Sequence, residues 1–322
     1  MSAATAGAGR ALISGSMAYD TIMVFGDRFS NHILPDKIHM LNVSFLVPKL
    51  RREFGGCAGN IAYNLRLLGD EGYPMATVGR DFGPYLEWLA TNGVPTDYVR
   101  VIDSELTAQA FITTDLDDNQ ITAFHPGAMQ RSHDNGVADA TGITLGIVSP
   151  AGRDGMIRHA EQFAAQGIPF LFDPGQGLPM FEREDLERFV SQASWMALNQ
   201  YEWQLVQQKT GWSARDVVKR VRALIVTNGA LGSTIHTLED GELAIPAARV
   251  REVIDPTGCG DAYRAGLLHG LMHGLDWLTT GRIASLLGAI KIESRGTQNH
   301  RFTPEAFKAR LCDSFPWVPP FT

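Results

Sequence analysis

A chain of 322 residues, 44% hydrophobic and 20% charged, has the composition of a folded globular protein rather than a disordered one. A formal charge of -7, with no basic cluster denser than Lys49, Arg51 and Arg52, argues against nucleic acid as a partner. Three cysteines (Cys57, Cys259 and Cys312) without a C-x-x-C pair, no basic-then-apolar leader and no apolar run of about 18 residues lead to the expectation of a cytoplasmic chain with neither disulfide framework nor membrane span.

Taken in chain order, residues 11–16 read as a first strand ending in Gly-Ser. Residues 21–54 carry bulky apolar side chains without a helical period and are read as a β excursion from the main sheet. A helix starts near Gly59, continues over 61–68 and stops at Gly69. Residues 75–79 form a strand, and 85–90 a helix that stops near Gly93. Residues 106–125 look like two more excursion strands, joined by an Asp- and Asn-rich turn at 115–119. Strands at 143–149, 169–172, 195–198 and 223–227 follow, with helices between them, the first at 156–165. A strand-like run at 250–254 precedes helices at 261–273, 275–293 and 304–311. The alternation predicts an α/β fold, a mainly parallel sheet covered by helices on both faces.

The segment richest in chemistry is Asp255-Pro256-Thr257-Gly258-Cys259-Gly260-Asp261, which opens an apolar helix and continues Ala262-Tyr263-Arg264-Ala265-Gly266. Glycines leave backbone amides unobstructed, and successive amides at a helix N-terminus attract an anion. A carboxylate at Asp261 beside that cradle pairs an anion site with a base, as phosphoryl transfer to an alcohol requires. By spacing alone, a plain helix cap is an equal reading of Asp261. Upstream, Phe54-Gly55-Gly56-Cys57-Ala58-Gly59-Asn60 is a glycine-rich helix entry where a sugar can approach the backbone, with Asn60 able to donate and accept. Asn199-Gln200-Tyr201-Glu202 has the spacing of a capping box, and Thr227-Asn228-Gly229 with Gly232 that of a turn. No G-x-x-x-x-G-K-[ST] and no G-x-G-x-x-G after a strand occurs, which sets aside P-loop and dinucleotide folds. His269 and His273 stand at a metal-binding spacing, but the sequence offers no evident third ligand.

Asp-x-x-Gly-x-Gly-Asp, with Ala-Gly four and five residues on, resembles the second signature of the PfkB carbohydrate and nucleoside kinases, with Cys259 where alanine or serine is usual. The loop at 54–62 resembles the first signature, and Gly15-Ser16 followed by Asp20 resembles the family's first strand and sugar-binding aspartate. The resemblance implies one ribokinase-like domain over 1–322, a three-layer α/β/α unit with a small β-sheet lid from segments about 20–54 and 105–126. It implies Asp261 as catalytic base, with Gly258, Cys259 and Gly260 as the anion hole. Asp20, Gly55, Gly56 and Asn60 would hold the sugar. Asn199, Thr227, Gly229, Gly232 and Asn299 would bind ATP, and Glu202 Mg²⁺ through water. The segment 296–299 adds K⁺ as a candidate cofactor. Phe111 and Phe124 could flank a flat base from the lid, or simply pack the lid's own core.

The sugar loop, residues 123–129 and the Gly-Thr-Gln-Asn-His end motif are similar to prokaryotic adenosine-kinase-like enzymes, which implies 5′-phosphorylation of a nucleoside such as adenosine, guanosine or inosine. A ribose or ketohexose kinase is the alternative acceptor class. A non-catalytic nucleotide- or sugar-binding regulator is the alternative of another kind, disfavoured by the intact base and anion turn. Exposed lid strands would pair two copies into a homodimer.

Overall fold

The computed structural model describes residues 9–33, 43–117 and 119–315. Its strands are β1 (Arg10–Ser14), β2 (Ala18–Val24), β3 (Lys49–Gly55), β4 (Glu71–Gly79), β5 (Tyr98–Ile102), β6 (Ala108–Thr114), β7 (Gln120–His125), β8 (Ile143–Val148), β9 (Phe170–Phe172), β10 (Trp195–Asn199), β11 (Ala223–Thr227), β12 (Ser233–His236) and β13 (Glu242–Ile245). Its helices are α1 (Cys57–Leu68), α2 (Gly83–Thr91), α3 (Arg153–Ala165), α4 (Arg183–Gln192), α5 (Gln200–Thr210), α6 (Ala214–Val218), α7 (Cys259–Met272), α8 (Trp277–Ile292) and α9 (Pro304–Ser314). Part of the excursion predicted at 21–54, residues 34–42, lies outside the described residues.

Among the described residues the main sheet has nine strands in the order β13-β12-β11-β10-β9-β8-β1-β4-β5. All neighbours are parallel except the β11–β12 and β12–β13 pairs. Alternate residues of each central strand feed two separate cores. Ala11, Ile13, Leu171, Ala197 and Ile225 pack under α1, α2, α7, α8 and α9. Leu12, Phe170, Phe172, Met196, Leu198, Leu224 and Val226 pack under α3 to α6. Burial on both faces is why these strands read as unbroken apolar runs.

A second sheet, in the order β3-β2-β6-β7, arises from the two stretches read as an excursion. The run at 250–254 is not a strand. Val253 is 69% exposed, and instead of a sheet partner the Ile254 and Asp255 amides both donate to the Ile292 carbonyl at 2.9 and 3.0 Å. The end of this run is thus drawn to the end of α8 rather than to a sheet edge.

The C-terminal end of α7 is clasped to the α1–β4 junction. Both carboxylate oxygens of buried Asp70 are taken, by His269 Nδ1 at 2.6 Å and His273 Nε2 at 2.8 Å. Asp70 is the third group that spacing could not supply, and its ligand atom and those of the two imidazoles lie within 4.8 Å of one another. No helix among the described residues is long and apolar enough to cross a membrane.

The entry to α1 is stacked on the segment leaving β1. The Ala58 amide donates to the Ser16 carbonyl at 2.9 Å, and Gly56 stands at φ 85°. A Cβ on Gly56 would lie 2.6 Å from Met17 Cα and from Ser16 O, both backbone atoms that cannot step aside. Gly56→Ala should therefore cost about 2–4 kcal/mol, a Tm loss of roughly 3–6 °C for a chain this size. A thermal melt showing no loss would mean the loop relaxes freely.

Candidate active site

The parallel strands end along one edge of the main sheet, where open α/β sheets take their ligands. Gly15 follows β1, Asp173 follows β9, and Asn199 and Thr227 end β10 and β11 as register partners. The two ATP candidates Asn199 and Thr227 are therefore neighbours.

At the centre of this edge α1 and α7 bring the two glycine-rich motifs together. Asn60 Nδ2 donates to Asp261 Oδ2 at 2.7 Å across 201 residues of chain. The orientation of that bond is fixed by a relay. Trp88 Nε1, which can only donate, gives its hydrogen to Gln298 Oε1 at 3.0 Å. Gln298 must then offer its amide, which donates to Asn60 Oδ1 at 3.0 Å and to the Tyr85 hydroxyl at 2.5 Å. Tyr85 passes its own hydrogen to the Gly55 carbonyl at 2.9 Å. Asn60 thus has only its amino group left for Asp261. Gln298, Trp88 and Tyr85 carried no role in the sequence reading; Gln298 lay inside the end motif, but its partners are more than 200 residues away.

Asp261 stands in the first turn of α7, where helical geometry leaves amides without an intrahelical acceptor. Burial pushes its carboxyl up to about 6, aided by the field of Asp173 and opposed by the Asn60 bond, the Cys57 thiol and Arg264. Gly258 is the N-cap, and a Cβ there would press within 3.0 Å of Thr297 Cγ2. The Cys259 amide is partly spent, donating to the Pro256 carbonyl at 3.2 Å to close the turn.

The small sheet delivers Asp20. Register partners share a face, and one row across this sheet reads Glu53, Asp20, Ala110, Phe124. Asp20 is also raised to about 6, first by burial and then by the charges of Asp255 and Glu53. Gly55 makes room for it, since a Cβ there would lie 2.6 Å from Asp20 Oδ2. The next row reads Arg52, Thr21, Phe111, Ala123 and faces the other way. Phe111 and Phe124 therefore cannot flank one ligand from the same side, and Phe124 is the one on the Asp20 face.

On the other flank, Asn199 Oδ1 accepts from the Glu202 amide at 2.8 Å and Glu202 Oε2 from the Asn199 amide at 2.7 Å, a reciprocal cap on α5. Burial and the charge of Asp173 raise the proton affinity of Glu202. Asp173 is paired with Arg264 at 2.9 Å, both nearly fully buried. Sequence reasoning assigned neither, although an arginine three residues after Asp261 in an otherwise apolar helix is a signal that a carboxylate waits for it. Gly229 and Gly232 frame the turn after β11, closed by the Asn228 amide on the Gly232 carbonyl at 2.8 Å. Asn299 is elsewhere than expected: its amide donates to Glu53 Oε2 at 2.9 Å, tying the end motif to the small sheet rather than to the β10–β11 flank.

Comparison with known proteins follows the same lines. Residues 20–304 match the family model described as pfkB family carbohydrate kinase. A nucleoside kinase of Methanocaldococcus jannaschii is 32% identical over 273 residues, 84% of this chain and 89% of that protein. The structure of Burkholderia thailandensis nucleoside kinase in complex with inosine superposes with a TM-score of 0.87 at 51% identity, covering 96% of this chain and 100% of that one. The same enzyme in complex with ADP-inosine gives 0.85 at 53% identity, covering 97% and 98%.

Proposed function

The chain belongs to the pfkB family of carbohydrate kinases and is a phosphotransferase of ribokinase-like fold, and we propose that it transfers the γ-phosphoryl group of ATP to the 5′-hydroxyl of a nucleoside. The observation that carries this reading is the 2.7 Å bond joining Asn60 of the sugar loop to Asp261 of the anion turn. It places a group that can hold an acceptor beside a carboxylate at the mouth of a helix whose amides attract phosphate.

Asp261 takes the proton from the 5′-hydroxyl as its oxygen attacks the γ-phosphorus in line, and ADP departs. The amides of Gly258 and Gly260 hold the charge that develops on the transferring group. Asp20 accepts from the two vicinal ribose hydroxyls, while Gly55 and Gly56 let the ring approach the backbone. Phe124 lies on the same face and offers a ring for the base. Asn199, Thr227, Gly229 and Gly232 line the ATP flank.

A divalent cation fits beside them on charge grounds: Arg264 is paired with Asp173, and at Glu202 the charge of Asp173 outweighs that of Arg264. Mg²⁺ bound with ATP would be held there by Glu202 through water and would neutralise phosphate oxygens.

Initial rates with ATP and adenosine, guanosine, inosine, cytidine or ribose test the proposal. At least one nucleoside should be turned over with kcat/KM about 100-fold or more above ribose, because the free sugar forgoes the apolar burial and ring stacking that a base would gain against Phe124. Ribose turnover without nucleoside turnover would move the chain to the sugar kinases. The outward face of the small sheet, with Leu50, Phe111 and Ile121 from 40% to 64% exposed, supports the homodimer through the lids. A sedimentation profile of monomer alone at micromolar concentration would remove that part.

A further inference from the structure

We infer that Lys291 is a positioning residue of the anion turn, a built-in cation seated where the turn would otherwise need a bound monovalent ion. The inference rests on the phosphotransferase reading of that turn.

Lys291 lies in the last turn of α8 and is fully buried, at 0% exposure. Lysine is almost never fully buried unless its charge is met. Its ammonium donates to the Asp255 carbonyl at 2.7 Å and to the Ser294 carbonyl at 3.3 Å, with Asp255 Oδ1 at 4.0 Å. Two carbonyls and a carboxylate form an all-oxygen shell, the kind that hard metal ions choose. Here the shell closes on a side chain instead.

The shell joins the two strips of backbone that build the site. Asp255 begins the anion turn; its carboxylate accepts from the Thr257 amide at 2.9 Å and the Gly296 amide at 2.9 Å. Ser294 leads into the end motif that starts at Gly296, whose Thr297 packs against Gly258 and whose Gln298 orients Asn60 on Asp261. Lys291 is bonded to Asp255 at the head of one strip and to Ser294 just ahead of the other. A leucine or methionine would fill the same space without the cost of desolvating an ammonium. What only a cation supplies is attraction for carbonyls that must turn inward, so that the following amides can turn outward to the phosphate. Its charge also reaches Asp255, Cys259 and Asp261, the groups around the turn. Potassium, which the resemblance adds as a cofactor candidate, is then dispensable for this chain.

Nucleoside phosphorylation is followed directly by chromatography of the product, so that no coupling enzyme's own ion requirement enters. Wild-type protein is first assayed in potassium chloride; no turnover of any nucleoside would remove the substrate reading and leave the lysine to be judged with whichever acceptor is used. Replacing potassium by tetramethylammonium, too large for the shell, should leave wild-type kcat within about twofold. Lys291→Ala should lower kcat at least about tenfold in tetramethylammonium, with KM for the nucleoside within about threefold, and potassium or ammonium should restore a large part of the loss. Lys291→Met, which keeps the volume filled, should show the loss without the rescue. A tenfold fall of wild-type kcat without potassium would overturn the inference, as would an alanine variant that keeps full kcat or one whose loss no small cation repairs. Should the alanine variant fail to fold, the wild-type ion exchange and the methionine variant still decide.

Discussion

Asp261→Asn should lower kcat by about 10²–10⁴-fold, which is roughly 3–5 kcal/mol of barrier, with ATP affinity nearly unchanged. Asparagine keeps the shape of the side chain and can still accept the Asn60 hydrogen bond, so what is lost is the capacity to take a proton. Steady-state kinetics with ATP binding measured separately checks it; a variant retaining most of its turnover would show that another group is the base. The same substitution should raise stability at neutral pH. The folded-state carboxyl is raised from 3.8 to about 6, so the native chain holds this proton more tightly than the unfolded one. Its favourable contribution is complete below pH 3.8 and is lost as pH rises through about 6. At pH 7.5 the wild type carries a partly desolvated charge that asparagine does not, and the variant should melt higher. Below about pH 4 both side chains are neutral and the difference should close. A variant that melts lower at pH 7.5 would contradict the burial argument even if kcat fell.

The parts of this site that are local in sequence are the parts that sequence reveals. The anion turn and Asp261 fall within seven consecutive residues, and the sugar loop with Asn60 within another seven, so their chemistry is visible without the fold. Strands such as β10 and β11 are legible for a different reason: with both faces buried they carry no charge to confuse the pattern. β3 is the opposite case. Its Lys-Leu-Arg-Arg-Glu-Phe-Gly has no strand-like composition because it is an edge strand with much of its length in solvent. The short edge strands β5 and β13, with most of their residues wholly or partly in solvent, are hard to read for the same reason. The direction of Phe111 could not be read at all, since moving the register by one residue exchanges the faces, and register here runs through β2, β6 and β7 together. The Trp88–Gln298–Asn60–Asp261 relay, the Asp173–Arg264 pair and the Lys291 shell each join residues brought together only by packing α1, α7 and α8 on one face. Arg264 and Lys291 show in the sequence as charged residues among apolar neighbours, with the partner unnamed.

Asp20→Ala should reduce kcat/KM for the nucleoside by about 10²–10⁴-fold, because two hydrogen bonds to a charged acceptor are each worth about 1.5–3 kcal/mol. The loss should fall mainly on KM if Asp20 holds substrate and transition state alike, and on kcat if it also sets the 5′-oxygen in line. An alanine variant with unchanged kcat/KM would place the sugar elsewhere than against the small sheet. The pH profile separates this residue from Asp261. Both carboxyls are raised to about 6, chiefly by burial, and both must be ionised, one to accept from hydroxyls and the other to accept the proton. In the free enzyme kcat/KM should therefore fall below about pH 6 with a limiting slope that approaches two. Asp20→Asn, with only Asp261 left to titrate, should show a slope of one on a lower plateau. A wild-type slope of one would mean that a single ionisation governs the acid limb and that Asp20 binds equally well when protonated. The two carboxylates lie on different elements, one on β2 and one on α7, so the steep limb would report that the small sheet and the main sheet meet on one substrate.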